Sequence, residues 1–166
     1  MSERDSDTFE RLSFRARMAI AIGIGEARRC KQNAVGTEYI LFGLLNEGRG
    51  VAASVLKRHG VDLNELHTEM LKGVSSSRDK PTMSPLPLSP RTEEVLRCAR
   101  EEEASQSAPV NTGHILLSLI REPEGGAARV LTNLGVKLED LACSVRESLA
   151  NAEDTHENVL GCMGIM

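Results

Sequence analysis

The sequence has little of several things that other classes of protein need. Aromatic residues make up 2% of its 166 residues and tryptophan is absent, although 40% of the chain is hydrophobic. Leucine, valine, isoleucine, alanine and methionine must then fill the core, which suits helices better than β-sandwiches. The four cysteines include no C-x-x-C pair, so a zinc site has no support and a reduced chain is expected. We predict a single all-α domain.

Further absences argue against whole classes of function. No G-x-x-x-x-G-K-[ST] phosphate loop occurs, so the chain itself is not expected to hydrolyse ATP. The net charge is -4 with the two signs interspersed, which leaves no basic face for a nucleic acid. No apolar run reaches the roughly 18 residues of a membrane span and no signal region is present, so a soluble, cytoplasmic protein is predicted. No catalytic set or metal-ligand spacing appears, and we expect no enzyme activity, cofactor or metal.

What the sequence does contain is an internal duplication. The segment VGTEYILFGLLNEGRGVAASVLKRHGVDLNEL, residues 35–66, aligns without gaps with VNTGHILLSLIREPEGGAARVLTNLGVKLEDL, residues 110–141, and roughly half of the positions are identical. Upstream, the segment that starts at Ser13 resembles the one that starts at Ser89. Two copies are too few for a solenoid, so we predict a pseudo-twofold globule in which each half covers the other.

Each copy carries signals for four helices, about eight in all. Ser13 and Ser89 are predicted to cap the first helix, and Thr37 and Thr112 the second, because hydroxyl side chains accept hydrogen bonds from the first free N–H groups of a helix.

The later helices of each copy follow glycine and aspartate signals. The third helix is predicted over residues 51–58 and 127–133, with Gly60 and Gly135 in the left-handed conformation after it. The fourth begins at Asp62 and runs to about residue 72, and its twin runs from about 138 to 149.

The predicted organisation is a single domain with short flanks. We expect a flexible N-terminus at 1–8, a domain at 9–150 made of repeat one (9–72), a linker (73–88) and repeat two (89–150), and a tail at 151–166. The linker is rich in serine and proline and is expected to be partly mobile. The tail begins polar and ends apolar, so it either frays or docks on a groove.

The motifs RLSFRARMA, VGTEYILFGLLNEGRGVAASVL and GVDL, repeated as VNTGHILLSLIREPEGGAARVLTNLGVKL, resemble the duplicated N-terminal domain of the Clp ATPases, especially the ClpC type, over residues 9–150. In that family the domain precedes ATPase modules and recruits substrates or adaptors to an unfolding and degradation machine. The resemblance implies a non-catalytic recognition module whose partners are Clp ATPase or protease subunits, adaptor proteins, or unfolded or marked substrate proteins.

The resemblance also implies a ligand. In ClpC-type domains the glutamate of each V-G-T-E phrase helps to bind phosphoarginine, a degradation mark on proteins, and Glu38 matches that glutamate. A carboxylate offers a forked acceptor to a guanidinium, while the helix starts at Ser13 and Thr37 offer N–H groups to a phosphate. We therefore predict a ligand site at Ser13, Thr37 and Glu38.

The second copy differs at the matching position. Gly113 replaces the glutamate, although Ser89 and Thr112 keep their hydroxyls. A degenerate second site is predicted at Ser89, Thr112 and Gly113, with weak phosphoarginine binding or none.

Two alternatives stay open at this point. Glu38 at the start of a helix stabilises the helix dipole by about 0.3 to 1 kcal/mol without any ligand. The chain as a whole could instead be an accessory subunit that docks on the Clp protease or ATPase assembly, or a fragment of a ClpC-type ATPase. Its acidic spacer and GCMGIM ending favour a stand-alone protein.

Overall fold

The computed structural model describes residues 9–73, 86–103 and 109–163, and the side chains of residues 9–73, 86–101 and 109–151. The predicted flexible N-terminus, most of the predicted linker and the last three residues of the tail lie outside the described residues.

The described residues form eight α-helices and two isolated β-bridges. The helices are α1 Phe14–Arg29, α2 Thr37–Glu47, α3 Val51–Arg58, α4 Leu63–Lys72, α5 Pro90–Cys98, α6 Thr112–Ile120, α7 Gly126–Asn133 and α8 Leu138–Met163, with a π-helical turn, Ala99–Glu103, after α5. The predicted all-α fold with four helices in each repeat is confirmed.

The side-chain caps of three helices are confirmed. The Ser13 hydroxyl accepts a hydrogen bond from the backbone N–H of Ala16 at 3.2 Å, and the Ser89 hydroxyl accepts one from that of Thr92 at 3.2 Å. Asp62 accepts from the N–H groups that open α4. These caps are local, which is why the sequence alone predicts them.

The predicted helix ends are confirmed in part. Gly60 and Gly135 have φ angles of 79° and 82°, the left-handed conformation that follows a helix. The last helix, however, continues to Met163 and not to about residue 149, because no glycine or proline stands between Leu138 and Gly161 to end it. Helix α7 starts one residue before its predicted start.

The prediction that Thr37 and Thr112 cap their own helices is wrong. Gly36 and Asn111 are the N-cap residues of α2 and α6, and each threonine is the first helical residue. A residue at that position has helical backbone angles, so its side chain leaves the axis of its own helix and is free to reach a neighbour.

Each threonine caps a helix of the other repeat. The Thr37 hydroxyl accepts a hydrogen bond from the backbone N–H of Ala127 at 3.1 Å, at the start of α7. The Thr112 hydroxyl accepts the equivalent bond from Ala52 at 3.2 Å, at the start of α3. Both receiving helices have glycine N-caps without a side-chain acceptor of their own. The two repeats therefore complete each other's helices.

The backbone shows the same reciprocal exchange. Leu12 forms a β-bridge with Val110, and Leu88 forms the matching bridge with Val35. The N–H of Ser13 donates to the carbonyl of Val110 at 2.9 Å. The N–H of Ser89 donates to the carbonyl of Val35 at 3.0 Å. Paired contacts of this kind are what a twofold relation produces, and the predicted pseudo-twofold arrangement is confirmed.

Replacing Thr37 or Thr112 with valine should lower the free energy of unfolding by about 1 to 2 kcal/mol each, because a buried N–H at the start of α7 or α3 loses its acceptor. Valine keeps the shape of threonine. Thr132, which is exposed and whose hydroxyl donates to the carbonyl of Ala128 in its own helix, is the matched control, and its valine variant should change little. Urea denaturation measures all three. If both cap variants kept the wild-type free energy of unfolding, the exchange of helix caps between the repeats would be contradicted.

Candidate functional site

An open cavity of about 420 Å³, here called the first pocket, lies where the start of α2 meets the starts of α5 and α7. Its lining residues come from repeat one (Gly36, Thr37, Glu38) and from repeat two (Ser89, Pro90, Arg91, Gly126). The pocket is therefore built jointly by the two repeats.

The structure brings the predicted site residues together in a different grouping. Thr37 and Glu38 share the first pocket with Ser89. Ser13 is not among the lining residues, and its backbone binds Val110 of repeat two. The predicted grouping of Ser13 with Thr37 and Glu38 is thus corrected: the pseudo-twofold relation places the start of each first helix beside the second helix of the other repeat.

The Glu38 carboxylate lies between two glycines. A Cβ atom added to Gly36 would come within 2.6 Å of Oε2 and 2.7 Å of Oε1. A Cβ atom added to Gly126 would collide with Oε2. No side chain other than hydrogen fits at either position without moving the carboxylate. Neither glycine belongs to the site predicted from the sequence, although the Gly125–Gly126 pair, opposite Gly50–Val51 in repeat one, is a visible signal.

Three helix N-termini open into this pocket. Gly36, the N-cap of α2, provides no side-chain acceptor, whereas Thr37 caps α7 across the repeats and Ser89 caps α5. Free N–H groups and the positive ends of helix dipoles favour an anion at such a place. The first pocket thus holds the Glu38 carboxylate next to helix N-termini that favour a negatively charged group of a ligand.

Arg91 adds an exposed positive charge to the same wall. Its guanidinium donates to the backbone carbonyl of Glu124 and lies 3.7 Å from the Glu124 carboxylate. The side chains are 43% and 82% exposed, so this ion pair is weak. Arg91 can turn from Glu124 to a stronger anion in the pocket at little cost.

The residues that align with those of the first pocket are Ser13, Phe14, Arg15, Val51, Asn111, Thr112 and Gly113, and their position in the other half is here called the second pocket. A Cβ atom on Gly113 would lie 2.9 Å from a methyl carbon of Leu149 and 3.1 Å from one of Val51. Apolar side chains thus occupy the space that the Glu38 carboxylate takes in the first pocket.

The polar groups of the second pocket bind one another. The amide oxygen of Asn111 accepts from the N–H groups of Gly113 and His114 at 2.8 and 3.3 Å. The His114 ring nitrogen Nδ1 accepts from the Asn111 N–H at 3.1 Å, which completes a capping box. The helix start that is open at Gly36 is therefore closed by a side chain at Asn111.

Arg15, the counterpart of Arg91, is also held in place. It donates to Glu47 at 2.9 Å, and the Glu47 side chain is only 5% exposed. Burial on its own would raise the pKa of Glu47, but the N–H groups of Gly50 and Arg49 and the Arg15 guanidinium outweigh it, so this pKa lies below its ordinary value. A buried, charged Glu47 fixes Arg15 more firmly than the exposed Glu124 fixes Arg91.

Two other kinds of site were sought in the described part of the chain. No cluster of three or more histidine, cysteine, aspartate or glutamate side chains with metal-binding geometry occurs there. Over the same residues, no helix combines the length and the apolar character that crossing a membrane requires.

The sequence was then compared with known proteins. The family model described as the Clp repeat (R) N-terminal domain matches residues 11–134 and again residues 103–159. Over 146 residues, 87% of this chain, the sequence is 39% identical to the chaperone protein ClpB of Oceanobacillus iheyensis and covers 18% of it. Over 154 residues, 92% of this chain, it is 36% identical to the chloroplastic chaperone protein ClpC of Pisum sativum and covers 17% of it. The chain spans less than a fifth of the length of these relatives.

A solved structure shows the same fold. The N-terminal domain of the caseinolytic protease associated chaperone ClpD from Arabidopsis thaliana superposes with a TM-score of 0.70 at 24% identity, over 85% of this chain and 99% of that one.

Proposed function

The chain belongs to the Clp repeat N-terminal domain family, and from this membership we propose that it is a recognition module that binds phosphoarginine-marked proteins at one composite pocket. The module acts by binding and carries no catalysis. The observation that supports the proposal is the Glu38 carboxylate, seated between Gly36 and Gly126 in a cavity where three helices begin.

The ligand carries two groups that need opposite partners close together. The guanidinium of phosphoarginine takes the forked Glu38 carboxylate, which accepts two N–H groups at once. The phosphate then lies toward the starts of α2, α5 and α7, where the three helix dipoles and the N–H groups of α2, which has no side-chain cap, favour an anion, and Arg91 turns toward it. Free arginine lacks the phosphate and uses only half of the pocket.

Only one site is proposed. The second pocket has no carboxylate at Gly113, has Val51 in place of Gly126, and has its helix start closed by Asn111. Each of these differences removes one of the features on which the first pocket depends.

The test is a calorimetric titration of the protein with free phosphoarginine, with arginine plus inorganic phosphate as the control. We expect binding at one site per chain, and much weaker heat from the control mixture. Two equivalent sites would contradict the single composite pocket. No heat at millimolar ligand, where binding of about -4 kcal/mol would be visible, would overturn phosphoarginine recognition.

Restoring the missing charge alone should not create a second site. In the variant Gly113→Glu, the new side chain meets Leu149 and Val51, so we expect the titration still to give one site. Adding Val51→Gly and Leu149→Ala to that variant clears the space, and the titration of this triple variant is the companion measurement. A second binding equivalent in the single variant would show that the second pocket is not closed.

Protein docking without phosphoarginine is the second candidate function. Phe14 and Met18, one turn apart on α1, are 76% and 42% exposed, and exposed apolar side chains on one helix face are typical of protein interfaces. An adaptor, or a Clp ATPase or protease subunit, would be the partner. A titration without heat would favour this function over the first.

A further inference from the structure

A second cavity, of about 260 Å³, continues from the first pocket along the space between α4 and α7. We call it the flanking groove; it is lined by Glu38, Glu69, Met70, Lys72, Gly73, Gly126, Arg129, Val130 and Asn133. We propose that the flanking groove binds an acidic side chain that lies close in sequence to the marked arginine, with Arg129 as its partner. This inference rests on the proposed function of the first pocket.

The two cavities form one path. Glu38 and Gly126 line both of them, so the flanking groove starts at the carboxylate that is proposed to take the guanidinium. An extended peptide advances about 3.3 Å per residue, so residues within about three positions of the bound arginine pass over the flanking groove. The side chains of the flanking groove therefore face the residues that neighbour the marked arginine in the bound peptide.

The flanking groove contains one positive charge that no residue in the described part of the chain neutralises. Arg129 is exposed and lies three residues after Gly126, on the same face of α7. Its guanidinium has no ion pair or hydrogen bond to any residue within the described ranges. A carboxylate of a bound peptide would be its first partner.

Of the other charges that line the flanking groove, Glu38 is assigned to the ligand guanidinium, and Lys72 and Glu69 cancel each other. Lys72 donates to Glu69 at 2.8 Å, and Asn133 donates to the same carboxylate at 3.0 Å. The hydrogen bond from Lys72 lowers the pKa of Glu69, against a smaller effect of burial, so Glu69 stays ionised and keeps Lys72 occupied. The buried side chains of Met70 and Val130 provide apolar contact for the stem of a ligand glutamate.

The repeat alignment makes Arg129 specific to this side of the molecule. Its counterpart in repeat one is Ser54, on α3 beside the closed second pocket. The unpartnered arginine thus occurs next to the pocket that keeps its carboxylate and not next to the one that lost it. This placement is what a role in ligand binding requires.

Two phosphoarginine peptides provide the test. They are identical except that one carries glutamate and the other glutamine at the second position on both sides of the phosphoarginine. On the wild-type protein we expect the glutamate peptide to bind about two- to fivefold more tightly, the range of an exposed ion pair. Arg129→Ala should remove this preference and leave the affinity of the glutamine peptide unchanged.

The matched control is Arg28→Ala, which removes an exposed arginine of α1 that lines neither cavity. It should keep the preference, which separates a specific contact from a general effect of net charge. In the charge-reversal variant Arg129→Glu, a third peptide with lysine at the same two positions should become the tightest ligand.

The outcomes separate the two proposals. Equal affinities for the glutamate and glutamine peptides on the wild-type protein would overturn the flanking subsite and leave phosphoarginine recognition standing. A preference that survives Arg129→Ala would also overturn it. If neither peptide binds while the protein is folded, the proposed function fails and the flanking subsite fails with it.

Discussion

Replacing Glu38 with glutamine should weaken phosphoarginine binding by about ten- to a hundredfold, because a charge-assisted contact to a guanidinium is worth about 1.5 to 3 kcal/mol. Glutamine keeps the size of the side chain between Gly36 and Gly126, so the pocket retains its shape and loses only the negative charge. The calorimetric titration, repeated on this variant, measures the effect.

The matched control addresses the second interpretation of Glu38. Glu139 lies in the first turn of α8, is exposed, and lines neither cavity. Glutamine at either position should cost about 0.3 to 1 kcal/mol of stability through the helix dipole. Only the Glu38 variant should lose binding. Equal binding by the wild type and Glu38→Gln would leave Glu38 with the helix role alone.

Replacing Gly43 with alanine should lower the free energy of unfolding by about 3 kcal/mol, the upper end of the usual cost of overpacking a core. A Cβ atom at this position of α2 would collide with the backbone carbonyl of Ala19 in α1. At Gly23 on the facing helix, a Cβ would come within 2.5 Å of the Tyr39 carbonyl oxygen. Neither obstacle is a side chain that can turn away, so the two helices must separate. Urea denaturation measures the loss.

Gly25 provides the control on the same pair of helices. It is exposed on α1, and a Cβ atom added there meets nothing within 4 Å. Gly25→Ala should therefore gain up to about 1 kcal/mol, since alanine favours a helix over glycine. If Gly43→Ala were as harmless as Gly25→Ala, α1 and α2 would lie farther apart than the structure has them.

Much of the fold could be predicted from the sequence because its signals are local. Ser13, Ser89 and Asp62 bind N–H groups two or three residues ahead, and Gly60 and Gly135 need only their own backbone angles. The duplication then implies the pseudo-twofold arrangement, since each repeat alone lacks a partner for its apolar face.

The contacts between the repeats could not be predicted in the same way. The sequence predicts Thr37 as the cap of α2, yet Thr37 is the first residue of that helix and its hydroxyl accepts from the N–H of Ala127, 90 positions away. Ser89 joins Glu38 in the first pocket through the same contact between repeats, although the predicted site grouped Glu38 with Ser13 of its own repeat. The sequence of a single repeat does not indicate which helix start of the other repeat each of its own helix starts will face.

The weakness of the second site is a prediction from one residue, and the structure adds several more residues that support it. Gly113 is visible in the alignment as a missing carboxylate. The filling of the vacated space by Leu149 depends on the packing of α8, and the capture of Arg15 by Glu47 depends on the loop before α3. Both are tertiary effects, so the sequence predicted that the second site is weak without giving the reason that it is closed.

The most direct test of one composite pocket is a two-dimensional NMR titration of the labelled protein with free phosphoarginine. We predict that the backbone amide signals of Glu38, Arg91 and Gly126 move together and saturate at one equivalent, while those of Gly113 and Val51 stay in place. Residues from both repeats would then report one binding event. Signal shifts confined to amides of repeat one, or a second set of shifts around Gly113, would contradict a single composite pocket.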